Sequence, residues 1–331
     1  MRILVTGGAG YIGSVTVRRL LDEGFAVTVA DNFENGHREA LDPRSELFEG
    51  NLHDPDFLSR VFTANNFDGL IHFAGYIESG ESMRDPLKFF GNNFCSGISL
   101  LETIRKNKLI PVIFSSTAGV YGTGVPPYTE ESPINTTSYY SMSKYFFEQA
   151  LKSAAFAYGF NVTVLRYFNA AGASFDGLLG EGHHPETHLI PLVINTALGR
   201  RAQLDLFGTD YPTPDGTAVL DYIHVEDLAE AHVLAIRRLL QIRGEKGLFE
   251  IYNVGTGAGY SIREVINAVK AVSGSDFKVV EKPRREGDWD SSYANCSKIK
   301  KVLGWQTKHG LKEIVESAYR WHQSHPEGYG K

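Results

Sequence analysis

The chain has 331 residues, 42% of them hydrophobic and 22% charged, which suits two domains or one large domain with an appended lobe. Its formal net charge of −6 argues against nucleic-acid and membrane-surface partners, and no apolar run approaches the length of a bilayer span. Cys95 and Cys296 provide no disulfide framework, and MRILVTGGAG lacks the cationic start of a signal peptide, so a reducing cytoplasm is expected.

Residues 2–7, RILVTG, read as a β-strand that stops at glycine. Residues 14–24 carry apolar side chains at helical spacing and end at Gly24. Strands follow at 25–31, 69–75, 110–117 and 160–169, and helices over about 94–106 and 139–157. Near-continuous apolar strands alternating with helices predict an α/β fold, a Rossmann-like doubly wound parallel sheet covered on both faces. After about residue 170 come loops rich in Gly, Pro, His and Asp. The expected division is a dinucleotide-binding part over 1–168 and a smaller mixed α/β substrate lobe over 169–331, with some later segments returning to the sheet.

TGGAGYIG lies between the first strand and the first helix. It fits both Gly8-x-Gly10-x-x-Gly13 and Gly7-x-x-Gly10-x-x-Gly13. Glycine is needed where backbone must turn tightly and approach a pyrophosphate, and the helix N-terminus offers free N–H groups. Asp31 ends the second strand, where a carboxylate binds both ribose hydroxyls and repels a 2′-phosphate. The cofactor expected is NAD rather than NADP.

SYYSMSK, residues 138–144, sets two tyrosines before one lysine. Residues four apart on a helix lie about 40° apart around the axis, and residues five apart roughly 140°. Tyr140 therefore shares a face with Lys144, and Tyr139 does not. A nearby ammonium favours the phenolate and is expected to lower the Tyr140 pKa toward neutrality. Taken alone, the pair also reads as an ordinary surface Tyr–Lys couple. FSSTAGVYG, residues 114–122, brings Ser115, Ser116 and Thr117 to the C-terminal end of a strand, where ligands bind in open α/β sheets. Thr117 is placed to relay a proton between a substrate hydroxyl and Tyr140. Ser115 and Ser116 have an equally ordinary role in satisfying local backbone groups.

Together these residues resemble the extended short-chain dehydrogenase/reductase superfamily. LVTGGAGYIGS, GESMRDPLKF, SSTAGVYG, LRYFNAAGA, LDYIHVEDLAEAH, YNVGTGAGYSIREVI and KPRREGD narrow the resemblance to the UDP-glucose 4-epimerase family, from residue 1 to about 328. The resemblance implies NAD held as a retained cofactor, a UDP-sugar substrate and a homodimer built from the helices near 94–106 and 139–157. It implies Tyr140 as the base at the sugar 4-hydroxyl, with Thr117 and Lys144 assisting. Around NAD it implies Gly7, Gly10, Tyr11, Ile12, Gly13, Asp31, Asn32, Asn35, Asn51, Leu52, Phe73, Ala74, Gly75, Asn93, Ser115, Tyr140, Lys144 and Phe168. Around the nucleotide sugar it implies Thr117, Tyr140, Asn169, His188, Leu189, Leu206, Phe207, Arg285, Asp288 and Ser292.

Several positions depart from that family. Asn51 replaces an aspartate near adenine, and Ile77 falls where many members have lysine. Leu220 stands where an arginine commonly meets the pyrophosphate, a loss worth about 1.5–3 kcal/mol of binding if nothing substitutes. The resemblance also sets Ser292 at the wall beside the sugar C2, where tyrosine goes with rejection of N-acetylated sugars and a small residue with their acceptance, so such sugars are expected to fit. Ala118 and Gly119 occupy the places of the carboxylates that a 4,6-dehydratase needs, and a decarboxylase keeps a glutamate there. A UDP-uronate 4-epimerase remains an alternative, and a non-catalytic NAD sensor a remote one. His183, His184 and His188 share a loop without cysteine partners, and no metal is expected there. Trp305 and Trp321 are expected to fill the core.

Overall fold

The computed structural model describes residues 1–242, 246–285 and 289–330. In chain order the elements are β1 (Arg2–Thr6), α1 (Tyr11–Asp22), β2 (Ala26–Asp31), β3 (Glu46–Glu49), α2 (Pro55–Ala64) and β4 (Gly69–His72). Then come α3 (Ser79–Ser82), α4 (Pro86–Phe89), α5 (Ser96–Asn107), β5 (Val112–Thr117), α6 (Tyr139–Tyr158), β6 (Val162–Tyr167) and β7 (Asn169–Ala171). The remainder holds α7 (Leu189–Ala197), β8 (Leu204–Phe207), β9 (Val219–Leu220), β10 (Tyr222–His224), α8 (Val225–Gln241) and β11 (Phe249–Val254). It closes with β12 (Tyr260–Ser261), α9 (Ile262–Ser273), β13 (Val279–Lys282), β14 (Ser291–Ser292), α10 (Ser297–Leu303) and α11 (Leu311–Ser324).

Among the described residues, seven parallel strands form the main sheet in the order β11-β6-β5-β4-β1-β2-β3. The strand alternation decides its two faces. Ile3, Val5, Val27, Val29, Ile71 and Ile113 join Val17 and Leu20 of α1 and Ile236 and Leu239 of α8 in one core. Leu4, Leu70, Val112 and Phe114 face the other way, onto Leu100 and Ile104 of α5 and Phe147 and Leu151 of α6. Trp305 is buried in the first of these cores.

The chain runs outward from β1 through β2 and β3, then returns to place β4 on the other side of β1. The crevice at that reversal lies at the strand C-termini, where such sheets bind ligands. β11 and α8 return to the main sheet from late in the sequence. A third core joins Ile190, Val193 and Ile194 of α7, Leu204 and Leu206 of β8, Val265 and Val269 of α9, and Ile314 and Val315 of α11. α9 is the amphipathic helix of REVINAVKAV, capped by Ser261 and Glu264 and stopped at Gly274 in the left-handed region.

Some boundaries differ from the sequence reading. The strand expected over 69–75 ends at His72, because the N–H groups of Phe73 and Ala74 both turn to the Thr6 carbonyl, at 2.9 and 3.1 Å. The strand expected over 160–169 ends at Tyr167, and Asn169 begins β7, which pairs with β10 instead. Within the loop-rich region expected after residue 170, AVLDYIHVEDL supplies β9, β10 and the start of α8. The helix expected from residue 94 starts as an α-helix at Ser96, after a π-helical turn over Phe90–Cys95.

One buried ion pair ties α6 to the sheet. Arg166 of β6 grips Glu148 of α6 through two bonds, Nε to Oε1 at 3.0 Å and Nη2 to Oε2 at 2.6 Å. The two side chains are 3% and 0% exposed, so neither can fall back on water if the other is removed. Arg166→Met should therefore destabilise the protein by about 3–5 kcal/mol in urea unfolding, because Glu148 is left buried and unpaired. Removing Glu46, whose pair with Arg2 is solvent-exposed, should cost under about 1 kcal/mol.

Candidate active site

The turn between β1 and α1 is shaped by close backbone approach. Gly7 has φ +72°, and a Cβ there would stand 2.6 Å from the Ala74 nitrogen. A Cβ on Gly13 would stand 2.1 Å from the Gly7 carbonyl oxygen. Gly10 caps α1 without a side-chain hydrogen bond, and no acid sits in the first turn. The N–H groups of Tyr11, Ile12 and Gly13 are thus left for an anion, with the positive end of the helix dipole behind them.

Asp31 closes this cradle at the end of β2. Its two oxygens accept the N–H groups of Ala9 (3.0 Å) and Phe33 (2.9 Å). Burial raises its carboxyl above the ordinary range, and these donors oppose the rise. Asn32 and Asn35 lie exposed on the same rim. Asn51 is exposed and its Oδ1 takes the His53 N–H at 2.9 Å, while Leu52 packs into the core below. This combination suits a dinucleotide: a backbone cradle that a Cβ at Gly7 or Gly13 would fill, and a carboxylate at the end of the second strand.

Across β4 the structure brings Thr117, Tyr140 and Lys144 together. Ser138 caps α6 through its bond from the Ser141 N–H, so Tyr140 lies in the first turn. The Thr117 side chain lies beside its phenol and acts to lower its pKa. Lys144 lies one turn on and donates to the Ser115 carbonyl at 3.2 Å. Its Nζ sits 3.3 Å from the place of a Gly75 Cβ, so Gly75 leaves room for it. Asn93 orders the same corner, accepting the Tyr76 N–H at 2.8 Å and donating to Ser143 at 3.0 Å.

The expected lowering of the Tyr140 pKa is not what the protein alone produces. Burial pushes the phenol up to about 12, and the Glu78 carboxylate acts in the same direction. Burial also brings the Lys144 ammonium down to about 8. Desolvation is the largest influence in this corner and only Thr117 opposes it, so the phenolate needs positive charge beside it.

Other expected residues are placed less directly. The Ser115 hydroxyl meets His232 Nε2 at 2.9 Å, so only its carbonyl faces Lys144. Ser116 bonds Glu148. Phe73 packs against His232, and Phe168 packs with Val120, Tyr121 and Tyr128. Tyr11 donates to the Gly172 carbonyl at 2.6 Å, linking the glycine turn to the segment after β7. Asn169 donates to the Asp221 carbonyl at 2.8 Å. Leu206 is a core side chain, the alternation of β8 turning Phe207 the other way, where the Arg285 guanidinium lies 4.8 Å over its ring. Ser292 is buried and pairs in register with Leu220, the position without arginine. Leu189 opens α7. Asp288 lies outside the described residues.

His188 has neighbours that the sequence reading missed. Burial works against its cation, yet Glu181 and Glu186 hold it up at about 11. Sequence reading also missed Glu78, Glu148 and Arg166. Glu148 carries a visible signal, since Tyr140, Lys144 and Glu148 recur every four residues on one helix.

A parallel sheet with this glycine turn, an acidic second strand and a Thr–Tyr–Lys set defines an enzyme of the short-chain dehydrogenase/reductase type. The chain belongs to the NAD dependent epimerase/dehydratase family, whose family model matches residues 3–255. It is 44% identical over 332 aligned residues to a UDP-glucose 4-epimerase of Lacticaseibacillus casei, covering 100% of this chain and 99% of that protein. A solved UDP-glucose 4-epimerase from Bifidobacterium longum, in complex with NAD+ and UDP, superposes with a TM-score of 0.93 at 39% identity, over 99% of this chain and 100% of that one. The UDP-Glc/GlcNAc 4-epimerase of Campylobacter jejuni superposes with a TM-score of 0.84 at 39% identity, over 98% and 99%.

The glycine turn gives a direct expectation. Gly13→Ala should abolish dinucleotide retention, because its methyl group collides with backbone rather than with a movable side chain. Chromatography of nucleotide released from the denatured protein reads this out, with wild-type protein as reference.

Proposed function

We propose that the protein is an NAD-dependent 4-epimerase that interconverts UDP-glucose and UDP-galactose. The observation that carries this reading is the placing of Tyr140 beside Thr117 at the C-terminal end of β5, one helical turn before Lys144, whose ammonium donates to the Ser115 carbonyl. When bound, NAD accepts a hydride from the sugar C4 and later returns it. Tyr140 takes the 4-hydroxyl proton through Thr117 and gives it back when the hydride returns. Lys144 supplies positive charge toward the phenolate. The 4-keto sugar turns about its pyrophosphate linkage between the two steps, so the opposite face is reduced. Ala118 and Gly119 follow Thr117, which leaves no carboxylate there to drive loss of water. Glu78 adds negative charge beside Tyr140, which disfavours a uronate carboxylate in the same site.

On the nucleotide side, Asn169, His188, Leu189, Phe207, Arg285 and Asp288 hold the UDP moiety. Arg285 supplies the phosphate contact that Leu220 cannot make. Ser292 leaves space beside the sugar C2, so UDP-GlcNAc and UDP-GalNAc are also substrates. Purified protein without added NAD should convert both UDP-galactose and UDP-GalNAc to their gluco epimers, followed by chromatography. Tyr140→Phe should lower kcat by about 10²–10⁴-fold. Ser292→Tyr should remove UDP-GalNAc turnover and spare UDP-galactose. A wild-type protein inactive on both sugars, even with NAD supplied, would overturn the reading.

A homodimer formed through α5 and α6 fits the same reading. Phe146 of α6 is 44% exposed and stacks on Phe90, an apolar surface suited to a second copy. Phe146→Glu should shift the protein to monomer in sedimentation velocity, and a wild-type monomer would discard the dimer. Cys95 and Cys296 are free thiols, and no helix among the described residues is long and apolar enough to cross a membrane. Both facts support a cytoplasmic location, which cell fractionation tests.

A further inference from the structure

The loop ahead of α7 gathers three groups that the proposed epimerase reading does not use, Glu181, His183 and Glu186, around His188 of the proposed UDP site. Glu181 is buried, and its Oε1 lies 2.8 Å from His188 Nδ1 and 3.2 Å from His183 Nδ1. Glu186 Oε1 lies 3.2 Å from His188 Nδ1. One donor atom from each of these four residues falls within 4.8 Å of all the others. The buried His183 Nδ1 makes no well-aligned hydrogen bond. We propose that Glu181, His183, Glu186 and His188 form a binding site for a divalent metal ion, with zinc the best fit.

Three features support that choice. The first is the donor set, two imidazole nitrogens and two carboxylates, which suits zinc and not the all-oxygen preference of calcium or magnesium. The second is spacing. Ligands bound about 2.0–2.1 Å from a tetrahedral ion stand roughly 3.3 Å apart; three of the six separations here are 2.8 to 3.2 Å and the other three lie within 4.8 Å, so the donors draw together by at most about 1.5 Å to close the site. The third is charge. Among the described residues the ion-pair partners of Glu181 and Glu186 are His183 and His188 rather than lysine or arginine, so a dication takes the place of the imidazole protons and leaves both carboxylates balanced.

The surroundings hold the ligands in place. The N–H groups of Thr187 and His188 both donate to Glu186 Oε1 at 2.8 Å, fixing its carboxylate. His37 meets the Gly182 carbonyl at 2.9 Å, and Thr187 donates to Glu78 at 3.0 Å. The loop therefore touches the dinucleotide side through His37 and the catalytic side through Glu78, while His188 caps α7. The ion's role is structural: it locks the loop between these parts, and no reaction step passes through it.

The test uses full-length protein made without a histidine tag, stripped with chelator, dialysed against micromolar zinc and desalted. Elemental analysis should find about one zinc per chain. Competition with a chromophoric chelator should show affinity falling about 100-fold or more in His183→Ala and in Glu181→Gln. His184→Ala, in the same loop but outside the cluster, should bind as wild type does. Zinc should also raise the melting temperature of the wild type and not of His183→Ala. Circular dichroism checks that the variants fold, and Glu186→Gln replaces any that does not. Wild-type protein that retains no zinc overturns the proposal, as does equal zinc binding by the His183→Ala and His184→Ala proteins. Either result would mean that the cluster is a hydrogen-bonded histidine–carboxylate network.

Discussion

The active-site geometry depends on how one helix is held against one strand. α6 presents Tyr140, Lys144 and Glu148 in a line toward β5, and its polar groups enter an apolar interior that demands partners for each. Glu148 finds Arg166 and Ser116, Lys144 finds the Ser115 carbonyl, and Tyr140 finds Thr117. The Arg166 guanidinium continues to the Tyr121 hydroxyl at 3.1 Å, which donates to Asn253 of β11 at 2.6 Å. Helix and three strands are thus joined by one network. A slip of α6 along the sheet would break several charge-assisted bonds at once, which is why the phenol and the threonine stay in register.

The second constraint is close approach. The glycine turn, the Phe73–Gly75 segment and α6 meet where side chains would not fit. Gly7 lies against Ala74, and Gly75 leaves room for Lys144 and the Asn93 amide. The cofactor cradle and the proton-transfer groups therefore share a wall. The site also shows the energetic cost of its own design. A phenol raised to about 12 and an ammonium lowered to about 8 are the signature of groups held out of water before the charged partner arrives.

Much of this was legible because it rests on local periodicity and on residue types with narrow uses. The four-residue spacing selects Tyr140 over Tyr139 without reference to tertiary contacts. The glycines mark the turn because only a residue without Cβ survives there, and Asp31 is found by its place at a strand end. The amphipathic pattern of α9 and the core roles of Trp305 and Trp321 follow from burial of apolar surface. Less was legible after residue 170. β9, β12 and β14 are two-residue strands that exist only because distant segments pair, so they leave no period to read.

The sequence by itself determined the class of fold, the glycine turn after β1 and which tyrosine shares a helix face with Lys144, since each is set by contacts within a few residues of chain. Only the tertiary structure decided the electrostatics. The direction of the Tyr140 shift, the Ser115 hydroxyl turning to His232, and the meeting of Glu181 with two histidines depend on burial and on neighbours far away in sequence. Desolvation belongs to no single residue. It arises when the chain closes around a group, and a linear reading cannot sum it.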